Sequence, residues 1–244
     1  MPGMIDRINE IAENRRKSLP MHLERFISKG DASIVSTYRY LSVADYVETH
    51  NVQVFCDYMH KASEYYLKLF ERFEDGERVS WSFLDEDSFK YVWNALCSGD
   101  WDITHKLMEH IYKHNQDLKK ASHFDRYFNH MFWISVLDLP FDEAIFQEMY
   151  TIFQKKYKSY AGYALAFEAI NKRDPDAFSK AFEVVMKGHR VLCRRGAEFG
   201  DSVDEIIAIW PLGLINLARM KGMNVTVNDP LVPKDLLADV VKET

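Results

Sequence analysis

Glycine and proline are scarce in this chain. It has 10 Gly and 7 Pro among 244 residues, together about 7% against a typical ~12%. Sandwiches, propellers and collagen need more turn residues than that, so the composition points to helices. Cysteine is scarcer still. Cys56, Cys97 and Cys193 are odd in number and show neither CxxC nor zinc-ligand spacing, which excludes a disulfide framework or structural zinc site and leaves reduced thiols as the expectation. Bases are outnumbered 31 to 37, for a formal charge of −6. Nucleic-acid phosphates therefore find no general attraction here, and no direct nucleic-acid contact is expected. No run approaches the ~18 to 20 apolar residues of a membrane span. Met1 to Lys17 intersperses Asp6, Arg7, Glu10 and Glu13 with isolated Ile residues, a surface-helix pattern without the apolar stretch of a signal peptide. A cytoplasmic protein with no membrane contact is expected. Phosphate-cradling GxxxxGK[ST] and GxGxxG motifs and a GxSxG elbow are all missing.

Apolar and aromatic side chains are plentiful, with 13 Tyr, 16 Phe and 10 Met. Phe55, Tyr58, Met59, Ala62, Tyr65, Tyr66, Leu69 and Phe73 form a 3/4-spaced stripe on one long helix that Gly76 stops. Three helical hairpins follow. The first turns at Ser98-Gly99-Asp100, with Asp100 as cap, and the second at Asp138-Leu139-Pro140. The third turns at Asn171-Lys172-Arg173-Asp174-Pro175, where Pro175 suits a first helical position. The breaks at Asp100, Pro140 and Pro175 are 40 and 35 residues apart, the length of a two-helix repeat. The expected fold is all-α: stacked antiparallel helical hairpins, an irregular tetratricopeptide-like or HEAT-like stack without a repeat consensus. One domain over residues 1–244 is expected, with N-terminal helices over 1–76, stacked hairpins over 87–190, and a closing helix with C-terminal cap over 203–244. Pro211 should kink or divide that closing helix, which runs from about Val203 to Met220. Pro233 to Leu237 should form a short final helix.

His110 and His114, four apart, share a helix face and are the best metal-ligand pair. The competing reading sets them in a packed seam with Ile103, Leu107, Ile111 and Leu118; the HExxH order is absent, and no metal is expected. Asp57/His60 and Asp102/His105 have the three-residue spacing of di-iron bundle ligands, but no inward Glu accompanies them and a solvated face is expected. His123, Asp125, Arg126, Asn129 and His130 precede an aromatic segment, and a loop-to-helix junction capped by His123 or Asp125 accounts for them. Arg15-Arg16-Lys17 and Arg194-Arg195 are expected to stay solvated. Glu198, Asp201, Asp204 and Glu205 read as favourable charge at the start of the last helix.

Seven acids lie between Glu71 and Asp87, against only Arg72 and Arg78, with Phe73, Trp81 and Phe83 interleaved. A loop joining two helices needs no such rings. Either Trp81 and Phe83 tuck into the core while the acids keep that end soluble, or Glu74, Asp75, Glu77, Trp81, Phe83, Asp85, Glu86 and Asp87 form a partner-binding surface. The second reading is the one adopted.

Near the C-terminus, Ala218-Arg219-Met220-Lys221-Gly222 ends an apolar helix. A short extended piece follows, and Leu231, Pro233 and Leu236 give a Leu-x-Pro-x-x-Leu closure. Together with Asp174-Pro175-Asp176-Ala177-Phe178 through His189, this resembles the immunity protein 49 family over residues 174–237. The resemblance implies a cytosolic immunity protein of a bacterial toxin system, encoded beside its toxin, which it binds and blocks by occlusion. It implies a toxin protein as partner, no catalytic residues and no cofactor.

Overall fold

Side-chain caps set the helix starts. Asn51 accepts from Val54 N (3.2 Å), Asp100 from Ile103 N (3.1 Å), Ser122 from Asp125 N (3.1 Å), Asp142 from Ala144 N (2.9 Å) and Asp174 from Ala177 N (2.9 Å). The computed structural model describes residues 2–79, 84–116 and 121–240. In chain order its helices are α1 (Pro2–Lys29), α2 (Ser33–Thr49), α3 (Val52–Glu74), α4 (Val92–Ser98), α5 (Trp101–His114), α6 (His123–Val136), α7 (Glu143–Lys156), α8 (Ala161–Asn171), α9 (Pro175–Leu192) and α10 (Ile209–Met220). Short 3-10 helices occupy Ser88–Tyr91, Lys158–Tyr160, Val203–Glu205 and Lys234–Leu236. Among the described residues there is no β-strand, only an isolated bridge between Asp229 and Val232. The fold is all-α.

The hairpin interval read from the sequence reappears as packing register. Glu74 of α3 bonds His114 of α5, Phe70 lies against His110, and His60 reaches Asp100 at the foot of α5, each partner 40 residues on. These pairs run in the same direction, so α3 and α5 are parallel and bracket α4. In the next unit α6 lies parallel to α8. Phe124 meets Tyr160, Phe128 meets Tyr163 and Phe132 meets Phe167, with centroids 4.7, 5.6 and 5.2 Å apart, and Asn171 Nδ2 donates to Ser135 Oγ at 2.8 Å. Those partners are offset by 35 or 36 residues. Successive helices from α4 to α9 each pack on the next, as short linkers require.

The centre is α4 against α10. Val92 to Cys97 are all buried, as is nearly all of α10, and a helix apolar on every side must be surrounded. Trp93, Phe128, Phe132, Tyr163 and Trp210 gather there, with Trp93 and Trp210 stacked 5.4 Å apart. Asn216 Nδ2 ties this centre to the C-terminal segment, donating to Leu96 O at 3.1 Å and Leu236 O at 3.3 Å.

Two local expectations need correction. The closing helix does not run from Val203: a 3-10 turn over Val203–Glu205 stands apart, and α10 begins at Ile209. Pro211 is then in the first turn, where an amide has no intrahelical acceptor to lose, so it introduces no kink. The cap of α6 is Ser122, one residue before His123; its Oγ accepts from Asp125 N and donates to Asp125 Oδ2 at 2.7 Å.

Candidate functional site

Glu74, in the last turn of α3, joins two features that look separate in the sequence. Its Oε1 meets His110 Nδ1 at 2.7 Å and His114 Nε2 at 2.8 Å, and its Oε2 accepts from Lys113 Nζ at 2.8 Å. Phe70 lies against both imidazoles, and Phe73 meets His114 edge-on. Burial works to raise the Glu74 pKa, but hydrogen bonds from Lys113, His114 and His110 outweigh it and bring the carboxyl down to about 2. The histidines thus line a packed seam with Phe70 and Phe73 that also holds a carboxylate. No group of three or more His, Cys, Asp or Glu among the described residues is arranged to hold a metal ion.

The other arm of the acidic stretch is held by its backbone. Asn115, next to His114, donates to Asp85 O at 3.3 Å and Ser88 Oγ at 3.1 Å, while Asn129 of α6 donates to Glu86 O at 2.6 Å. Leu84, Ser88 and Phe89 are fully buried on either side of the acids. The carboxylates of Asp85, Glu86 and Asp87 therefore sit on an anchored segment and stay partly solvent-facing. Asp87 Oδ2 is 3.2 Å from Lys90 Nζ, and Glu77 accepts from Arg72 Nε at 2.6 Å. Asp75 is exposed at the C-cap of α3. Trp81 and Phe83 lie outside the described residues. The sequence reading passed over Asn115 and took Asn129 as part of a loop-to-helix junction, missing that both anchor this segment.

The remaining polar clusters have ordinary partners. His60 Nδ1 is 3.2 Å from Asp100 Oδ2, Asp57 accepts from Gln53 at 2.8 Å, and His105 is 3.6 Å from Glu109, so neither Asp-x-x-His pair closes on itself. His123 bonds Arg126 at 2.8 Å, and burial, then nearby Arg126, lowers the His130 pKa. Cys193 Sγ lies 3.3 Å from His189 Nε2, but burial and then Asp204 push the thiol up to about 12. The His189 ring already donates to Asp204 O at 2.8 Å, so no thiolate forms near neutral pH. No helix among the described residues is long and apolar enough to cross a membrane.

Residues 85–236 match the family model of immunity protein 49. The match reaches well upstream of the C-terminal resemblance at residues 174–237. It begins at the acidic segment Asp85-Glu86-Asp87 and takes in α4 to α10. No curated protein and no solved structure matches the chain.

Proposed function

Because the chain belongs to the immunity protein 49 family, we propose that it is a cytoplasmic immunity protein that binds a cognate bacterial toxin and neutralises it by occlusion, through the acidic stretch from Glu74 to Asp87. The observation carrying this reading is that consecutive residues where α5 ends, His114 and the C-cap Asn115, bond Glu74 and the Asp85 backbone on the two arms of that stretch. The Glu74 carboxylate and the backbone of Asp85 and Glu86 are held by these bonds, which supports a surface that needs less ordering at the moment of binding. Glu74 is neutralised from within and serves to position the patch. Asp75, Asp85 and Glu86 are its outward charges, and Trp81 and Phe83 are its aromatic anchors. A toxin that attacks nucleic acid carries a basic cleft, which such a patch fills as a phosphate mimic while steering encounter.

Expressing the toxin encoded by the neighbouring gene, with and without this protein, tests the role. Cells survive only with the protein, and the two proteins co-purify, if the reading holds. Survival without co-purification would replace occlusion with another route. Trp81→Ala should weaken toxin binding by ~2 kcal/mol while leaving the thermal midpoint unchanged; a variant that unfolds would assign Trp81 to the core.

A further inference from the structure

Of the seven arginines in the N-terminal half, five are matched to carboxylates, Arg7 to Asp201, Arg16 to Asp45, Arg25 to Asp31, Arg39 to Asp204 and Arg72 to Glu77, and Arg78 is exposed. Arg15 is different. It is half-buried, not solvated as the Arg15-Arg16-Lys17 run suggests, and no carboxylate among the described residues pairs with it. Its Nη1 reaches only Ser36 Oγ and Thr37 Oγ1, both at a long 3.4 Å, and its guanidinium lies 4.8 Å over the Tyr40 ring. Burial lowers its pKa, the mark of a cation without a counter-charge.

Arg15 opens onto a cavity of about 480 Å³ between α1, α2, the turn over residues 198–204 and Trp210. Such a volume suits a small molecule. Ser36 and Ser202, whose hydroxyls donate to Ser33 O and Phe199 O, lie on its wall with Tyr40 and with the edges of the buried Phe199 and Trp210 rings. Of the other ions on this wall, Arg39 holds Asp204 through two bonds of 2.9 and 2.8 Å, Asp201 meets Arg7 and Lys90 meets Asp87, while Glu198 accepts from the neutral Tyr160 hydroxyl.

We propose that this cavity is a binding site for a small monocarboxylate with a flat apolar body, its carboxylate received by Arg15 and its body by the aromatic walls. Arg15 is the cation on this wall that no carboxylate among the described residues pairs with, so an anionic group is what it can receive. A guanidinium supplies paired donors suited to a carboxylate, whereas Glu198, Asp201 and Asp204 on the same wall oppose a divalent anion such as phosphate. The site stands independently of the toxin-binding reading.

The test titrates the intact protein with benzoate and, separately, with inorganic phosphate, following the Arg15 Nε–Hε and Trp210 indole signals by NMR. Benzoate should give saturable shifts at both groups and phosphate weaker ones. Arg15→Met should weaken benzoate at least about tenfold, an effect in the range of a lost charge-assisted pair, with the thermal midpoint kept. Should that variant fail to fold, Arg15→Lys decides: it keeps the charge but loses the fork, and a several-fold weakening is expected. Unsaturable benzoate shifts, equal benzoate affinity in the folded Met variant or in the Lys variant, or phosphate binding as tightly as benzoate would each overturn the proposal.

Discussion

Glu74 receives three donors on its two carboxylate oxygens, and its titration is displaced accordingly. An unfolded glutamate titrates near ~4.3, whereas in the fold this carboxyl is held at about 2. A folded-state pKa below the unfolded one gives stabilisation that is present above about pH 4.3 and lost as pH falls through about 2. Glu74→Gln should thus cost about 1–2 kcal/mol at pH 6, the gap to the unmodified protein closing by pH 2. Denaturant midpoints at both pH values check this, and an equal penalty at each would contradict the network. The same contacts predict no stoichiometric transition metal by elemental analysis. About one equivalent of zinc, iron or manganese that disappears in a His110→Ala, His114→Ala variant would reverse that. The helix spacing put His110 and His114 on one face, but their shared partner lies 36 and 40 residues earlier, and only tertiary register brings it there.

At the scale of elements, α9 meets α8 and the 3-10 turn before it backbone to backbone through glycines. A Cβ on Gly188 would sit 1.9 Å from Ser159 O, and one on Gly162 would sit 2.5 Å from Val185 N. Because 159 faces 188 and 162 faces 185, the two helices are antiparallel. Neither contact involves a flexible side chain that can yield, so Gly188→Ala should destabilise by ~2 kcal/mol or more, read as a lowered thermal midpoint. An unchanged midpoint would mean the helices are farther apart. Hairpin breaks were legible because Asp and Pro cap helix starts by local chemistry, as at Asp100 and at Asp174 with Pro175. Other elements were hidden. In α2, Ile34, Val35, Tyr38, Leu41, Val43, Ala44 and Tyr46 are all buried and fall on more than one face, which erases the single stripe that marks α3. Helix α1 continues to Lys29 through Pro20, a residue that ordinarily ends a helix. The run Glu198, Asp201, Asp204 and Glu205 read as charge favouring a helix start, yet Asp204 is 3% exposed and bound by Arg39.

Across the whole molecule, one buried apolar cluster extends from Ile8 to Leu236 and so unites α1–α3 with the family-matched residues 85–236. The Arg39–Asp204 pair fastens α2 to the turn before α10, with side chains 23% and 5% exposed. Removing only the cation leaves a buried carboxylate, so Arg39→Ala should cost ~3 kcal/mol or more, measurable by urea denaturation; a loss under ~1 kcal/mol would mean that water replaces the guanidinium. The acidic stretch approaches this junction through Asp87, whose partner Lys90 shares a cavity wall with Arg39 and Asp204. The direct test of the toxin-binding surface is the association rate with the cognate toxin at low ionic strength, for the unmodified protein and for Asp85, Glu86 and Asp87 all changed to Lys. The account predicts a variant with an unchanged thermal midpoint that associates at least about tenfold more slowly, the difference shrinking as salt screens the charges. A folded variant that associates at the same rate and with the same affinity would contradict it.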